Sequence, residues 1–369
     1  KFTYSDLKVS SYELEKNGSI EVSVTVKNDS DRTGKEVVQL YVSAPEGELN
    51  KEYQSLATFE KTGLLQPGGS ETMTLEFDLT AVSSYRERDN CFVLERGDYV
   101  LRLGNSSRNT AVAAVVVLPE EIIVSRHQAI CPVQQPLEEL QAPAREAEAL
   151  PEGVIYLVAE VDAFQTADYT TPYVPPKMDK QVRRFVGRLS DRQMVDIVVG
   201  VGQWLVNNRF DLPGSVGNTT SKFWDKGLAN VALCDGPAGL RIQSRSTVDL
   251  KGNVKPVEMA MSVFEYIPGP VKKLVTGDVK KEAPLYQFTT AFPVANCLAQ
   301  SWNKALMERF GDAIYREMKE FGCTFWLAPA MNIHRNPLCG RNFEYLSEDP
   351  YLTGAMAAAI TRGVQQVEG

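Results

Sequence analysis

Between His334 and Pro350 the chain reads HRNPLCGRNFEYLSEDP, which sets two arginines, three carboxylates, two prolines and a glycine directly behind an apolar run, CTFWLA, at Cys323 to Ala328. Six residues rich in aromatic and branched side chains are too few for a helix and read as a buried strand. A polar loop punctuated by Gly and Pro that leaves the carboxyl end of such a strand is where α/β folds place their chemistry.

Working outward, Asp349 and Pro350 suit the N-cap and first position of a helix over Tyr351 to Val367. Upstream, Asn303 is a candidate N-cap for a helix in which Leu306, Phe310, Ile314 and Phe321 recur at helical spacing until Gly322 stops it. An earlier helix is signalled at Ser190, which with Gln193 makes a capping-box pattern. Two more strand ends precede these helices: VALC at Val231 to Cys234, running into DGPAGLR, and FPVANCL at Phe292 to Leu298. Strand, loop and helix in alternation predict part of an α/β barrel of the TIM type over residues 186–369, with Asp235 and Arg341 on one face. The weakly patterned stretch from Gln243 to Phe288 reads as a lid or substrate wall.

The first 118 residues differ in kind. Short alternating runs, IEVSVTV from Ile20, VVQLYVS from Val37, TMTLEFDL from Thr72 and YVLRLG from Tyr99, are separated by clusters such as NDSDRTG and QPGGS. That pattern predicts an antiparallel β-sandwich acting as a packing module. Residues 119–185, rich in Gln, Glu, Ala and Pro around one apolar run at Val154 to Val161, read as a long connector, and His127 within it as a surface residue.

Composition sets limits on function. A formal charge of -8 over 369 residues, with no Lys/Arg cluster, argues against a nucleic-acid partner. No stretch of about 18 apolar residues marks a membrane span. The opening KFTYSDLKVSS has neither initiator Met nor apolar leader, which sets the expectation of an excerpt from a longer, cytoplasmic polypeptide. Six cysteines without CxxC spacing suggest no metal site and read as reduced, small buried residues.

Two acid–base pairs stand out. In DGPAGLR, Asp235 and Arg241 are six positions apart, and a carboxylate held ionised beside a guanidinium suits binding of vicinal hydroxyls. The bland reading is that the pair only staples its loop. Arg341 and Glu344 make a second pair in GRNFE, whereas Glu348 and Asp349 are explained by helix capping. His334 reads as a hydrogen-bonded structural residue rather than a base.

LCDGPAGLR, AFPVANCLAQSWN and LAPAMNIHRNPLCGRNFEYLSEDPYLTG together resemble the N-terminal barrel domain of glycoside hydrolase family 3, in its β-glucosidase branch, and residues 1–118 resemble the fibronectin-III-like domain that accompanies it. The fibronectin-like domain comes first here, as in the family's permuted members. The resemblance implies an exo-acting retaining β-glucosidase that acts on a β-glucoside or oligosaccharide and uses no cofactor. It places Asp235, Arg341, Glu344 and Arg241 at the sugar. It also implies that the nucleophile lies beyond Gly369 and that an α/β-sandwich domain of the parent polypeptide precedes residue 1. On that view the 369-residue chain alone is inactive. A homo-oligomer remains open, and the rival reading is a non-catalytic carbohydrate-binding or structural two-domain protein.

Overall fold

The computed structural model describes residues 1–9, 19–135, 149–202, 210–257 and 268–366, with Glu138, Pro143 and Tyr266. The chain forms two compact units, Lys1–Pro175 and Pro176–Gly369.

The first unit is built on β1 (Phe2–Val9), β2 (Ser19–Asn28), β3 (Val37–Ser43), β4 (Ser55–Lys61), β5 (Ser70–Asp78), β6 (Ser84–Arg86), β7 (Cys91–Leu94), β8 (Gly97–Ser106), β9 (Asn109–Leu118), β10 (Ile122–Arg126), β11 (Ile155–Val158) and β12 (Ala167–Asp168). They make three sheets, ordered β1-β2-β5, β11-β9-β8-β3-β4 and β12-β10-β7-β6. Alternation places Ile20, Val22, Val24 and Val26 of β2 and Met73, Leu75 and Phe77 of β5 on one inner face. They share a single core with Val38, Leu40 and Val42 of β3 and Leu101, Leu103, Ala114 and Val116 of β8 and β9. Each strand read from alternation is therefore explained by that shared core.

The stretch read as connector takes part in this unit. Strand β11 pairs parallel with β9, and β10 pairs antiparallel with β7, so Ile122, Leu157 and Ala159 join the core. His127 is not a bare surface residue: its ring lies 5.5 Å from that of Phe92 and stacks on Tyr169 at 5.1 Å, and its Nε2 is 2.8 Å from Ser125 Oγ. Nearby, the almost fully buried guanidinium of Arg86 donates to Asp89 and Glu121.

The second unit begins with α1 (Lys180–Val186) and α2 (Asp191–Val199), the latter opened by the Ser190/Gln193 capping box. There follow β13 (Val201–Gly202), β14 (Gly217–Asn218), β15 (Ala232–Cys234), β16 (Arg245–Val248), β17 (Val254–Pro256), α3 (Gly269–Val275), β18 (Ala283–Tyr286), α4 (Ala295–Ala299), α5 (Lys304–Phe321), β19 (Phe325–Trp326) and α6 (Pro350–Val364). One sheet runs β13-β14-β15-β19, with β15 and β19 parallel and the helices α4 and α5 between them in sequence. Among the described residues these strands close no barrel. The supposed lid from Gln243 to Phe288 contains a three-stranded antiparallel sheet, β17-β16-β18; its residues 258–265 and 267 lie outside the described ones.

Three local expectations are corrected. FPVANCL is not a strand end but leads into α4, because Phe292 gives its N–H to Ala238 O and the chain turns helical from Ala295, after Val294 as N-cap. The CTFWLA ladder shrinks to Phe325 and Trp326, with Phe325 and Leu327 exposed, since β19 has a partner on the β15 side only. On α5 the buried stripe is Met307, Phe310, Gly311, Ile314 and Met318, and Leu306 is exposed. The shift follows the helix pairing: a Cβ on Gly311 would stand 2.2 Å from Ile360 O and one on Gly363 2.0 Å from Glu308 O, so α5 and α6 touch backbone to backbone at these two residues. Helix α6 is capped by Asp349 as expected, its carboxylate accepting from Leu352 N at 2.7 Å.

Two outcomes follow. A polypeptide of residues 1–118 lacks Ile122 and Leu157, whose burial is worth about 1.5–3 kcal/mol each, so urea denaturation should show it markedly less stable than residues 1–175. Hydrogen bonds from Arg86 hold the Asp89 carboxyl down at about 2. Its stabilising effect is complete above the unfolded value of about 3.9 and is lost as pH falls towards 2. The melting temperature should fall less steeply below pH 4 in Asp89→Asn than in the unmodified chain.

Candidate functional site

Asp235 follows directly on β15, and the loop it opens is held from several sides. Arg241 N donates to Asp235 O at 2.8 Å, closing DGPAGLR into a bridge. Trp326 of β19 donates its Nε1–H to Gly236 O at 2.9 Å, Phe292 N donates to Ala238 O at 2.9 Å, and Thr289 Oγ1 donates to Leu240 O at 2.7 Å. Glycine is required twice. Gly236 and Gly239 have φ of 110° and 118°, and a Cβ on Gly239 would lie 2.1 Å from Thr290 O.

The carboxylate of Asp235 is half-buried, and among the described residues no group donates a hydrogen bond to it. The ion pair expected between Asp235 and Arg241 is not formed among the described residues. The two residues meet through their backbones, and the Arg241 side chain is exposed. The reason is geometric, since a narrow antiparallel bridge closed by two glycines leaves the six-residue spacing to the main chain.

Arg341 and Glu344 do pair as the sequence suggests. Nε of Arg341 donates to Glu344, whose side chain is 12% exposed, while that of Arg341 is 67% exposed. The guanidinium also lies 6.0 Å from the Tyr345 ring centre. Its pKa is raised chiefly by the bond to Glu344, and the Asp235 charge adds to the shift, so the two loops stand within electrostatic reach. His334 is structural: its Nε2 is 3.1 Å from Tyr345 O and its backbone N–H donates to Ser347 O at 3.0 Å. The phenol of Tyr345 is pushed up by burial and by the neighbouring Cys339 thiol.

Sequence reasoning missed three supports of this arrangement. Trp326 anchors the Asp235 loop. Glu317 of α5 accepts from Thr290 N at 3.0 Å, tying helix to loop. Cys234 and Cys323 are joined as a disulfide with Cα atoms 6.2 Å apart, against the expectation of reduced cysteines. Their separation of 89 residues carries no pattern, and only the parallel register of β15 and β19 brings them together.

Residues 242–368 match the Glycosyl hydrolase family 3 N terminal domain, and residues 36–107 match the Fibronectin type III-like domain. Beta-glucosidase A of Butyrivibrio fibrisolvens is 30% identical over 94% of this chain, and the beta-glucosidase of Ruminococcus albus is 26% identical over 99%. These alignments run through both units, so the two domains follow in the same order. The chain spans 40% and 36% of the lengths of those relatives. The crystal structure of a beta-glucosidase from Paenibacillus barengoltzii superposes with a TM-score of 0.70 at 27% identity, covering 99% of this chain and 38% of that one.

If the loop geometry depends on the glycine, Gly239→Ala should cost at least about 1–3 kcal/mol in backbone strain alone, read by urea denaturation. Gly340→Ala, where a Cβ would meet nothing within 4 Å, should be near neutral.

Proposed function

With residues 242–368 belonging to glycosyl hydrolase family 3 and a fibronectin III-like domain preceding them, we propose that this chain works in an exo-acting, retaining β-glucosidase, and that its own part is to hold the terminal β-D-glucosyl residue. The observation that carries the reading is Asp235: a carboxylate at the end of a parallel strand, on a loop fixed by four hydrogen bonds, with its acceptor oxygens unused among the described residues. Vicinal hydroxyls of a sugar are donors at the spacing a carboxylate accepts. Arg341 supplies donors to the same ring, Glu344 fixes the guanidinium in place, and exposed Arg241 borders the loop. The relatives' names support a β-glucoside or oligosaccharide as substrate.

Retention of configuration needs two carboxyl groups about 5 Å apart around the anomeric carbon. We assign neither role among the described residues. Glu344 is tied to Arg341, Asp349 caps α6 and Glu317 accepts from Thr290 N, while Asp235 serves as the hydroxyl acceptor. Hydrogen bonds from sugar hydroxyls to Asp235 that tighten as the ring flattens towards an oxocarbenium-like state favour that state over the ground state.

Calorimetric titration with glucose, run beside thermal melts, tests this. Asp235→Ala removes charge-assisted hydrogen bonds worth about 1.5–3 kcal/mol each, so affinity should drop at least about tenfold with an unchanged melting temperature. Asp235→Asn should be nearly as damaging. The 369-residue chain by itself should bind an aryl β-glucoside without hydrolysing it. A melting temperature that falls while glucose affinity holds would reduce Asp235 to a loop staple and favour the non-catalytic reading.

A further inference from the structure

The loop that carries Asp235 lies against a second strip of main chain, residues 289–292. Phe292 N donates to Ala238 O at 2.9 Å and Thr289 Oγ1 donates to Leu240 O at 2.7 Å, so the strip grips the loop on both sides of Gly239. Between these bonds a Cβ on Gly239 would stand 2.1 Å from Thr290 O, which puts the two backbones in direct contact. The grip passes on to Asp235 through Arg241, whose N–H donates to Asp235 O at 2.8 Å, and through Gly239, whose N–H donates to Gly236 O at 3.1 Å. Where the strip stands therefore constrains where the Asp235 carboxylate stands.

Helix α5 holds that strip at two points. The Phe292 ring meets Phe310 edge-on at 4.9 Å, and Thr290 N donates to both carboxylate oxygens of Glu317, at 3.0 and 3.3 Å. Phe310, Ile314 and Glu317 follow one another at i, i+4 and i+7 on one face of the helix, the first two buried and Glu317 half-buried. Among the described residues Glu317 meets no cation, and its charge is directed at one backbone N–H. A hydrogen bond to an ionised acceptor is roughly twice as strong as one between neutral groups. An acidic side chain at the edge of an apolar face, used on a loop amide instead of an ion pair, does little for the core and much for the loop.

We propose that Glu317 is a positioning residue for sugar binding: from α5 it holds residues 289–292, and through them the 238–240 side of the loop, so that the Asp235 carboxylate meets the sugar hydroxyls already in place. Its own carboxylate is taken by Thr290 N, so it acts through Asp235 and not by contact with the sugar. A ligand that binds a loop free to move must also order it, and that ordering lowers affinity. The inference rests on the sugar-holding reading of Asp235 and adds the residue that sets how firmly that carboxylate is presented.

The test measures glucose affinity by calorimetry, the melting temperature, and hydrogen–deuterium exchange by mass spectrometry, all on the whole chain. The variants are Glu317→Ala; Glu317→Gln, which keeps an acceptor; Glu320→Ala, which removes the same charge from an exposed position of α5; Asp235→Ala; and Asp235→Ala combined with Glu317→Ala. In Glu317→Ala the amides of residues 236–241 should exchange at least about tenfold faster and glucose should bind about three- to tenfold more weakly. Exchange along α5 and the melting temperature should not change. Glu317→Gln should recover most of both losses, and Glu320→Ala should match the unmodified chain. In the Asp235→Ala background, Glu317→Ala should weaken glucose no further, the coupling expected of a residue that works through another. If Asp235→Ala weakens glucose but Glu317→Ala leaves either affinity or loop exchange as in the unmodified chain, the positioning role is wrong and the sugar-holding reading stands. Faster exchange along α5 together with the loop, the same effect from Glu320→Ala, or a further loss in the double variant would also overturn it. If glucose does not bind the unmodified chain, or binds Asp235→Ala equally well, the Asp235 reading falls and the positioning role with it.

Discussion

The second unit depends on one hydrogen bond between a side chain and a backbone carbonyl, from Trp326 Nε1 to Gly236 O at 2.9 Å. It links the parallel strand pair of this unit, β15 and β19, to the loop that carries Asp235. Trp326 meets the Phe310 ring edge-on at 6.1 Å, and Phe310 meets Phe292 at 4.9 Å. The indole therefore touches the apolar packing of α5 with one side and fixes a polar loop with its N–H, the double use that suits a tryptophan at the border of a core. Because Phe292 N also bonds Ala238 O, the same aromatic chain fastens both sides of the loop.

Position is what this scaffolding provides. A carboxylate left without protein partners is costly when buried and unremarkable when solvated, and Asp235 is half-buried in a loop that two glycines at positive φ make too tight to relax. Glu344 shows the alternative, a nearly buried carboxylate whose charge is met by Arg341. The two acidic residues differ in what they can offer a ligand for this reason: Glu344 has its acceptors committed, and among the described residues nothing takes those of Asp235.

The first unit is organised by different means. Its strands are long, their alternation is regular, and its core is shared between facing sheets, so the local pattern and the global fold agree. Strands β10, β11 and β12 are short and were hidden in a Gln-, Glu- and Pro-rich stretch. What defines them is an available sheet edge at β9 and β7 rather than their own composition.

By itself the sequence determined the features that are local: the alternating strands of the sandwich, the capping boxes and N-caps at Ser190, Asn303 and Asp349, the stop at Gly322, and the Arg341–Glu344 pair three residues apart. Each is fixed by chemistry that acts within a few residues. The motifs around Asp235 and Arg341 also marked a candidate site, because their residue types are unusual for plain turns. Only the tertiary structure decided what depends on distant partners. It joined Cys234 to Cys323, turned FPVANCL into a helix, shifted the buried stripe of α5 to meet Gly363, and replaced the expected Asp235–Arg241 ion pair with a backbone bridge. It also built the three-stranded sheet β17-β16-β18 in a stretch whose pattern gave no hint of one. Side-chain type and spacing constrain neighbours along the chain, whereas register between strands far apart in sequence is settled by packing, and no short pattern records it.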